Sequence, residues 1–250
     1  MARAAVLGRL TWQVATIADV RRESSTAVTL VLDDPDWTSH LPGQHVDVKL
    51  TADDGYFAER SYSIASAPAE GRLEITVQRV ADGEVSPYLC DVAGPGDQIE
   101  LRGPIGGYFV WSADRSAPVL LIGGGSGVVP LMAMVRSRAN AGSRTPFRLM
   151  YSVRTPDDAL YADELRRRVR DDQGVDVAWA YTRKAPDGWP GHVGRIDAAR
   201  LGADGWPATL EPDVFVCGPT GFVEAIADML VAAGHESHRI RTERFGPTGG

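Results

Sequence analysis

The first hundred residues alternate between apolar and polar positions in short runs. Such runs, rich in β-branched residues, predict strands whose side chains point to two opposite faces. The predicted strands cover residues 14–20, 27–32, 45–50, 73–80 and 98–101. Turn sequences such as Pro42-Gly43 and Asp82-Gly83 separate them. Many short strands punctuated in this way predict an antiparallel barrel or sandwich.

The pattern changes after about residue 107, where apolar runs become continuous and helical periods follow them. A continuous apolar run at residues 119–122 predicts a strand that is buried on both faces. Further strands are predicted at 148–153, 175–182, 214–217 and 239–245, and helices at 130–140, 159–171 and 221–233. Strands that alternate with helices indicate a parallel sheet. We therefore expect two domains, an antiparallel β-barrel over residues 1–113 and a parallel-sheet α/β domain over residues 114–250.

Composition and charge narrow the classes of function. The formal net charge of −7 argues against a general nucleic-acid binder, and no apolar run reaches the roughly 20 residues that span a membrane. The N-terminal residues lack the apolar core of a secretory signal. The only cysteines, Cys90 and Cys217, are too few for a four-thiolate iron–sulfur cluster and suit a reducing compartment. We expect a cytoplasmic protein without a metal site.

The tetrapeptide Arg60-Ser61-Tyr62-Ser63 carries the most specific chemistry of the first half. On a strand, Arg60 and Tyr62 point one way and Ser63 the other. An arginine fork suits a phosphate, an aromatic face suits a flat ring, and a hydroxyl can bond a ring nitrogen. Together they predict a flavin nucleotide site, although a half-exposed strand with a surface arginine would look the same. A short helix is predicted after Ser86, with Ser86 as its N-cap.

A glycine-rich turn at residues 122–130 links a predicted strand to a predicted helix. Glycines let the backbone approach a ligand, and a helix N-terminus attracts a phosphate, so the turn predicts a nucleotide site. A tight turn without a ligand is the alternative. Arginines then follow the next strands, at Arg154, Arg183 and Arg195. They suit the extra phosphate of NADPH, which we favour over NADH, but could also be solvated loop charges.

Cys217-Gly218-Pro219 stands at the end of a later apolar strand. Ligands of open α/β sheets bind beyond the carboxyl ends of the strands, so Cys217 is expected near a ligand. A buried structural cysteine is the alternative. With the flavin tetrapeptide and the turn Gly124 to Pro130, this motif resembles the ferredoxin–NADP reductase family. That family carries R-x-Y-[ST], G-G-T-G-x-x-P and C-G-P in the same order. The resemblance extends from about residue 8 to residue 245, with Ser126 in place of the commoner threonine.

The resemblance implies roles for particular residues. Arg60 would hold the flavin phosphate, Tyr62 would stack on the flavin ring, and Ser63 would lie near flavin N5. The remaining implied flavin contacts are the strand at Val77, the turn residues Gly83 and Val85, and the Ser86 hydroxyl. Implied nucleotide contacts are Gly125 and Ser126 at the nicotinamide nucleotide and Arg154, Arg183 and Arg195 at the adenosine phosphate. Cys217 would lie beside nicotinamide C4, Glu243 near the flavin, and Phe245 could cover a ring.

The implied activity is hydride transfer from NADPH to a bound flavin, FAD more readily than FMN. Electrons would then pass to a separate acceptor protein such as ferredoxin, flavodoxin or an oxygenase component. Two alternatives stay open at this point. The chain could reduce free flavin as a substrate, or it could be a non-catalytic electron-transfer or regulatory subunit.

Overall fold

The computed structural model describes residues 10–246, which form two sheets with separate cores. The first sheet and its helix comprise β1 (Gln13–Ser24), β2 (Ala27–Asp33), β3 (His45–Thr51), β4 (Phe57–Ser63), β5 (Leu73–Gln78), α1 (Ser86–Asp91) and β6 (Gln98–Ile105). The predicted boundary between residues 113 and 114 falls in the segment after β6 and stays a prediction. Residues 1–9 and 247–250 of the predicted domains lie outside the described residues.

The N-terminal sheet is antiparallel and has the strand order β4-β3-β6-β1-β2-β5. A bridge between Ile64 and Ile75 joins the end of β4 to β5, so the two outer strands meet. Inward-facing aliphatic side chains such as Ile17, Val46 and Leu101 fill the interior and are fully buried. The predicted antiparallel barrel is confirmed.

The C-terminal sheet is parallel, with the strand order β11-β10-β7-β8-β9. Its elements are β7 (Val119–Gly124), α2 (Val128–Asn140), β8 (Phe147–Val153), α3 (Ala162–Asp171), β9 (Val175–Tyr181), α4 (Ala198–Asp204), β10 (Asp213–Pro219), α5 (Thr220–Ala232) and β11 (Ile240–Phe245). Cores on both faces of the sheet bury β7 completely. The predicted parallel α/β domain is confirmed.

Two local expectations differ from the structure, and one helix was not expected. Helix α1 begins at Ser86 itself, with Val85 at the N-cap, and the Ser86 hydroxyl accepts a hydrogen bond from the Val80 amide at 3.0 Å. The cap prediction was wrong because this hydroxyl is held by the preceding turn. Helix α3 begins at Ala162, not at residue 159, because Tyr161 adopts a left-handed conformation. Helix α4 was not predicted.

The two domains pack closely where the loop before β3 meets the connecting segment. Gly43 has φ +103°, and a Cβ built on it would lie 1.9 Å from the Phe109 carbonyl oxygen. Only glycine therefore fits at this position. Trp111, from the same connecting segment, packs edge-on against Phe147 at the start of β8. These contacts fix the barrel beside the edge of the α/β domain.

Candidate active site

The β3–β4 hairpin sets the direction of the tetrapeptide side chains. Arg60 and Tyr62 lie opposite Val48 and Val46, both fully buried, whereas Ser63 lies opposite His45. Residues directly opposite each other in a sheet share a face. Arg60 and Tyr62 therefore lie on one face and Ser63 on the other, as the alternation predicted.

Arg60 is half exposed and engages a carboxylate. Its Nη2 donates to Glu84 Oε2 at 2.9 Å, and the Tyr56 hydroxyl donates to Glu84 Oε1 at 2.6 Å. The Tyr56 hydrogen bond and the Arg60 charge lower the pKa of Glu84 from its ordinary value. An anion thus already lies against the guanidinium group that would pair with a flavin phosphate.

Tyr62 packs its ring partly against the barrel core. Burial is the main cause that raises the pKa of its phenol, so the hydroxyl stays neutral. The neighbouring Cys90 is a buried free thiol whose pKa burial raises to about 11. This face of β4 therefore presents the neutral aromatic ring of Tyr62 beside the cationic guanidinium group of Arg60.

The predicted pyrophosphate turn is partly engaged in its own hydrogen bonds. The Gly83 amide donates to the Val80 carbonyl at 3.0 Å, which occupies that donor. Val77 and Val85 bury their side chains completely in the barrel core. Any contact that these two valines make with a ligand would therefore come from their backbone.

The glycine-rich turn combines an open position with a tight one. Gly125 has φ +56°, and a Cβ built on it would meet nothing, so space lies beside it and beside the half-buried Ser126. A Cβ at Gly127 would lie 2.1 Å from the Cys217 carbonyl oxygen. Gly127 therefore allows the turn to lie against the backbone of the Cys217-Gly218-Pro219 motif.

Cys217 and Glu243 are neighbours on β10 and β11. Burial raises the pKa of the Cys217 thiol well above its ordinary value, and the Glu243 charge acts in the same direction. Burial also raises the pKa of Glu243 to about 7. Its Oε2 is buried and has no hydrogen-bond partner among the described residues.

His45 reaches Glu243 from the other domain, with Nδ1 at 3.7 Å from Oε1. Burial lowers the pKa of His45, and Asp47 only partly opposes this. A strong ion pair would raise the pKa of the imidazole and lower that of the carboxyl. Both shifts run the other way, because burial outweighs attraction at this distance. His45 is therefore the neutral partner, and Glu243 exchanges between its protonated and ionised forms near pH 7.

The three predicted phosphate-binding arginines, Arg154, Arg183 and Arg195, are exposed. The Arg183 amide donates to the Arg154 carbonyl at 2.9 Å, and the Gly194 amide donates to the Tyr181 carbonyl at 2.9 Å. These backbone bonds bring all three to the carboxyl ends of β8 and β9. All three arginines therefore lie at the carboxyl end of the parallel sheet, and the glycine-rich turn begins at the same end.

Phe245 ends β11 opposite Pro219 and is partly exposed. It lies at the same carboxyl edge of the sheet as Cys217. Its role as a ring cover stays a prediction.

Sequence reasoning missed His45, Tyr56 and Glu84. A signal for His45 exists, because a hairpin turn centred on Asp54 places residue 45 opposite residue 63. The contact of Arg60 with Glu84 joins β4 to the turn before α1, two segments that the sequence pattern does not connect, so no comparable signal exists for it.

The described residues offer neither a metal-binding cluster nor a membrane-spanning helix. Among residues 10–246, no group of three or more histidine, cysteine, aspartate or glutamate side chains is placed to hold a metal ion. The helices in that range are all too short or too polar to cross a membrane.

Comparison with known proteins places this arrangement in a family. Residues 15–110 match the oxidoreductase FAD-binding domain, and residues 121–228 match the oxidoreductase NAD-binding domain. The FAD/NAD-binding domain of nitric oxide dioxygenase from Vibrio cholerae superimposes with a TM-score of 0.84 at 27% identity, covering 94% of this chain and 99% of that domain.

Two curated relatives are reductase components of oxygenase systems. The glycine betaine monooxygenase reductase subunit of Chromohalobacter salexigens is 32% identical, covering 83% of this chain and 56% of the relative. The ferredoxin reductase component of 3-ketosteroid-9-alpha-monooxygenase from Mycolicibacterium smegmatis is also 32% identical, covering 92% and 64% respectively. The chain thus spans less than two thirds of either relative.

A flavin-type barrel joined to a nucleotide-type parallel sheet defines a two-domain oxidoreductase. This chain belongs to the ferredoxin–NADP reductase-like family, whose two domains bind FAD and a pyridine nucleotide.

Proposed function

We propose that this chain takes a hydride from NADPH onto bound FAD and passes electrons to a separate acceptor protein. One observation carries the proposal. His45, which is paired with Ser63 in the barrel, contacts Glu243 of the α/β domain at 3.7 Å. Glu243 is paired with Cys217, and Cys217 lies against Gly127 of the nucleotide turn. This contact supports a single interdomain site for the flavin ring and the nicotinamide ring.

The residues present fit both groups. The open space beside Gly125 and Ser126 can accommodate a nucleotide. The buried Oε2 of Glu243 has no hydrogen-bond partner among the described residues, and a bound ligand could supply one. Arg60 would hold a flavin phosphate, and Tyr62 would support the flavin ring. The flavin, when bound, converts two-electron hydride chemistry into single-electron delivery. The chain itself supplies alignment, exclusion of water and control of a proton.

The chain's own groups suit those tasks. The Cys217 thiol is neutral because of its burial, so it fills space without introducing charge. Glu243, with a pKa of about 7, can hold or release a proton at Oε1 near neutral pH. His45 is the neighbouring base across the domain interface. Ser63 lies beside His45 on the adjacent strand.

We propose NADPH as the donor in preference to NADH. Arg154, Arg183 and Arg195 lie at or beside the carboxyl ends of β8 and β9, where the adenosine end of a nucleotide on the glycine-rich turn would lie. Guanidinium groups pair with phosphate by two parallel hydrogen bonds. That pairing favours the nucleotide with the additional phosphate.

We propose an oxygenase component or its ferredoxin as the acceptor, because the two relatives described above are named as reductase components of monooxygenases. Flavodoxin is the remaining choice for the acceptor. Both cysteines are unpaired, which supports a reducing, cytoplasmic location.

Reduction of free flavin is a second candidate function. The Glu84 carboxylate already pairs with Arg60, and this pairing would weaken the hold of Arg60 on a flavin phosphate. Desalted protein should stay yellow and should reduce ferricyanide and cytochrome c with NADPH without added flavin. Activity that appears only with added flavin would indicate a free flavin reductase. Absence of activity with and without flavin would indicate a non-catalytic subunit.

A further inference from the structure

Tyr161 stands immediately before α3 in a conformation that bulky residues seldom adopt. Its φ is +55°, in the left-handed region, and the residue is only 5% exposed. A non-glycine residue is strained in this region and persists only where its surroundings hold it. The contacts of its side chain show what those surroundings are.

The Tyr161 hydroxyl crosses from the α/β domain to the barrel and hydrogen-bonds the Thr76 hydroxyl on β5. Thr76 in turn bonds the Thr29 hydroxyl at 2.7 Å, and Thr29 donates to Glu23 at 2.8 Å. Thr29 and Thr76 are buried. Thr76 directly precedes Val77, the strand position with an implied flavin contact, so the hydrogen bond from Tyr161 reaches the strand that carries that position.

Arg136 on α2 makes a second contact between the two domains, beside that of Tyr161. Its Nη1 donates to the Ala65 carbonyl at 2.9 Å, and its Nη2 donates to Glu164 at 2.6 Å. Its guanidinium group also lies 5.1 Å from the centre of the Tyr161 ring. Ala65 follows Ser63 by two residues, and α2 begins directly after Gly127. The helix that leaves the nucleotide turn is thereby tied to the strand that carries the flavin residues.

We propose that Thr76, Arg136 and Tyr161, here called the interdomain cluster, are positioning residues for hydride transfer. The cluster sets the separation between the nicotinamide turn and the flavin strand. This inference rests on the proposed function. In that reaction a hydride leaves nicotinamide C4, which is oxidised, and bonds to flavin N5, which is reduced. A displacement of about 1 Å can slow such a step by about 100-fold.

The test compares Tyr161→Phe with Tyr151→Phe in the flavin-loaded protein. Both tyrosines are buried, but the Tyr151 hydroxyl accepts a hydrogen bond from the Leu160 amide at 3.1 Å inside the α/β domain. We expect Tyr161→Phe to slow single-turnover flavin reduction about 10-fold, with unchanged flavin content and NADPH affinity. Its deuterium isotope effect should become more temperature-dependent. Tyr151→Phe should change neither quantity.

A second pair of measurements does not depend on turnover. Hydrogen exchange of the flavin-free protein should rise in β5 and at the start of α3 in Tyr161→Phe but not in Tyr151→Phe. Thr76→Val should reproduce the effect, and the Tyr161→Phe/Thr76→Val double variant should add nothing further. If both substitutions remove the same hydrogen bond between the domains, their effects cannot add.

The outcomes separate the inference from the proposed function. If NADPH does not reduce the wild-type flavin, the proposed function fails, and the positioning role fails with it. If the wild type is reduced and Tyr161→Phe keeps its rate, isotope effect and exchange pattern, only the interdomain cluster is overturned. Equal losses in Tyr161→Phe and Tyr151→Phe would also overturn it, because they would indicate general destabilisation.

Discussion

Nδ1 of His45 lies 3.7 Å from Oε1 of Glu243, and the two residues come from different domains. His45 is paired with Ser63 across the β3–β4 hairpin, and Glu243 is paired with Cys217 across β10 and β11. The contact thus joins the two strand pairs that carry the predicted reaction residues. In the proposed function, this contact lies where the nicotinamide and the flavin would meet.

The pKa of Glu243 predicts how stability changes with pH. Burial raises this pKa from 4.5 to about 7. The folded state therefore binds the proton more tightly than the unfolded state. Its contribution is fully present below pH 4.5 and is lost as pH rises through about 7. The loss amounts to about 3 kcal/mol of the free energy of unfolding.

Glu243→Gln should remove this dependence, since glutamine does not titrate. Urea unfolding at about pH 5.5 and about pH 8 would measure it. Glu224→Gln, on an exposed position of α5, is the matched control and should keep the wild-type slope. A wild-type slope in Glu243→Gln would mean that another group titrates in this range.

Glu84→Gln should tighten the binding of phosphate-bearing flavin. The carboxylate competes for Arg60, and its removal frees the guanidinium group. Because the pair is solvent-exposed, we expect only about a two- to fivefold gain in FAD affinity. Fluorescence titration of flavin-free protein would measure it, with riboflavin unaffected.

Asp82→Asn controls for the general loss of a negative charge in the same turn, and it should leave FAD affinity unchanged. Weaker FAD binding in Glu84→Gln would show that Glu84 supports the flavin site and does not compete for Arg60.

Arg183→Ala should lower kcat/KM for NADPH about 10- to 100-fold and leave the value for NADH nearly unchanged. The estimate is that of a lost hydrogen bond to a charged group. Steady-state reduction of ferricyanide with both nucleotides would measure it. Arg170→Ala removes an exposed arginine at the end of α3 and is the control. Equal losses for NADH and NADPH would argue against a phosphate contact.

Gly127→Ala should destabilise the α/β domain by roughly 1–3 kcal/mol, because the backbone must move to accept the new methyl group. The added Cβ would lie 2.1 Å from a backbone oxygen of Cys217. Gly221→Ala adds a methyl group to α5 where nothing lies within 4 Å. That control should be neutral or stabilising by up to about 1 kcal/mol. Urea unfolding of the two variants gives the comparison, and equal stability would contradict the packing described for Gly127.

The sequence predicted both domains because their signals are local. Alternation over a few residues identified the barrel strands, and the continuous apolar run at β7 identified a strand that is buried on both faces. The direction of Arg60 and Tyr62 followed from strand geometry alone. These features need only the residues that form each element.

The features that escaped prediction depend on distant residues. Glu243 meets His45 only because two separately folded sheets pack together, and Tyr161 takes its conformation in contact with Thr76 of the other domain. Helix α4 is short, and its strongest local signal is the Asp197 cap that accepts from the Arg200 amide. Tertiary packing, which no local pattern records, decided the Glu243–His45 contact and the conformation of Tyr161.

Anaerobic titration of the purified protein with NADPH, followed by flavin absorbance, tests the central claim most directly. We expect the bound flavin to bleach fully with one equivalent of NADPH and to recover when an acceptor protein or ferricyanide is added. Flavin that is bound but keeps its oxidised spectrum after excess NADPH and NADH would contradict the account.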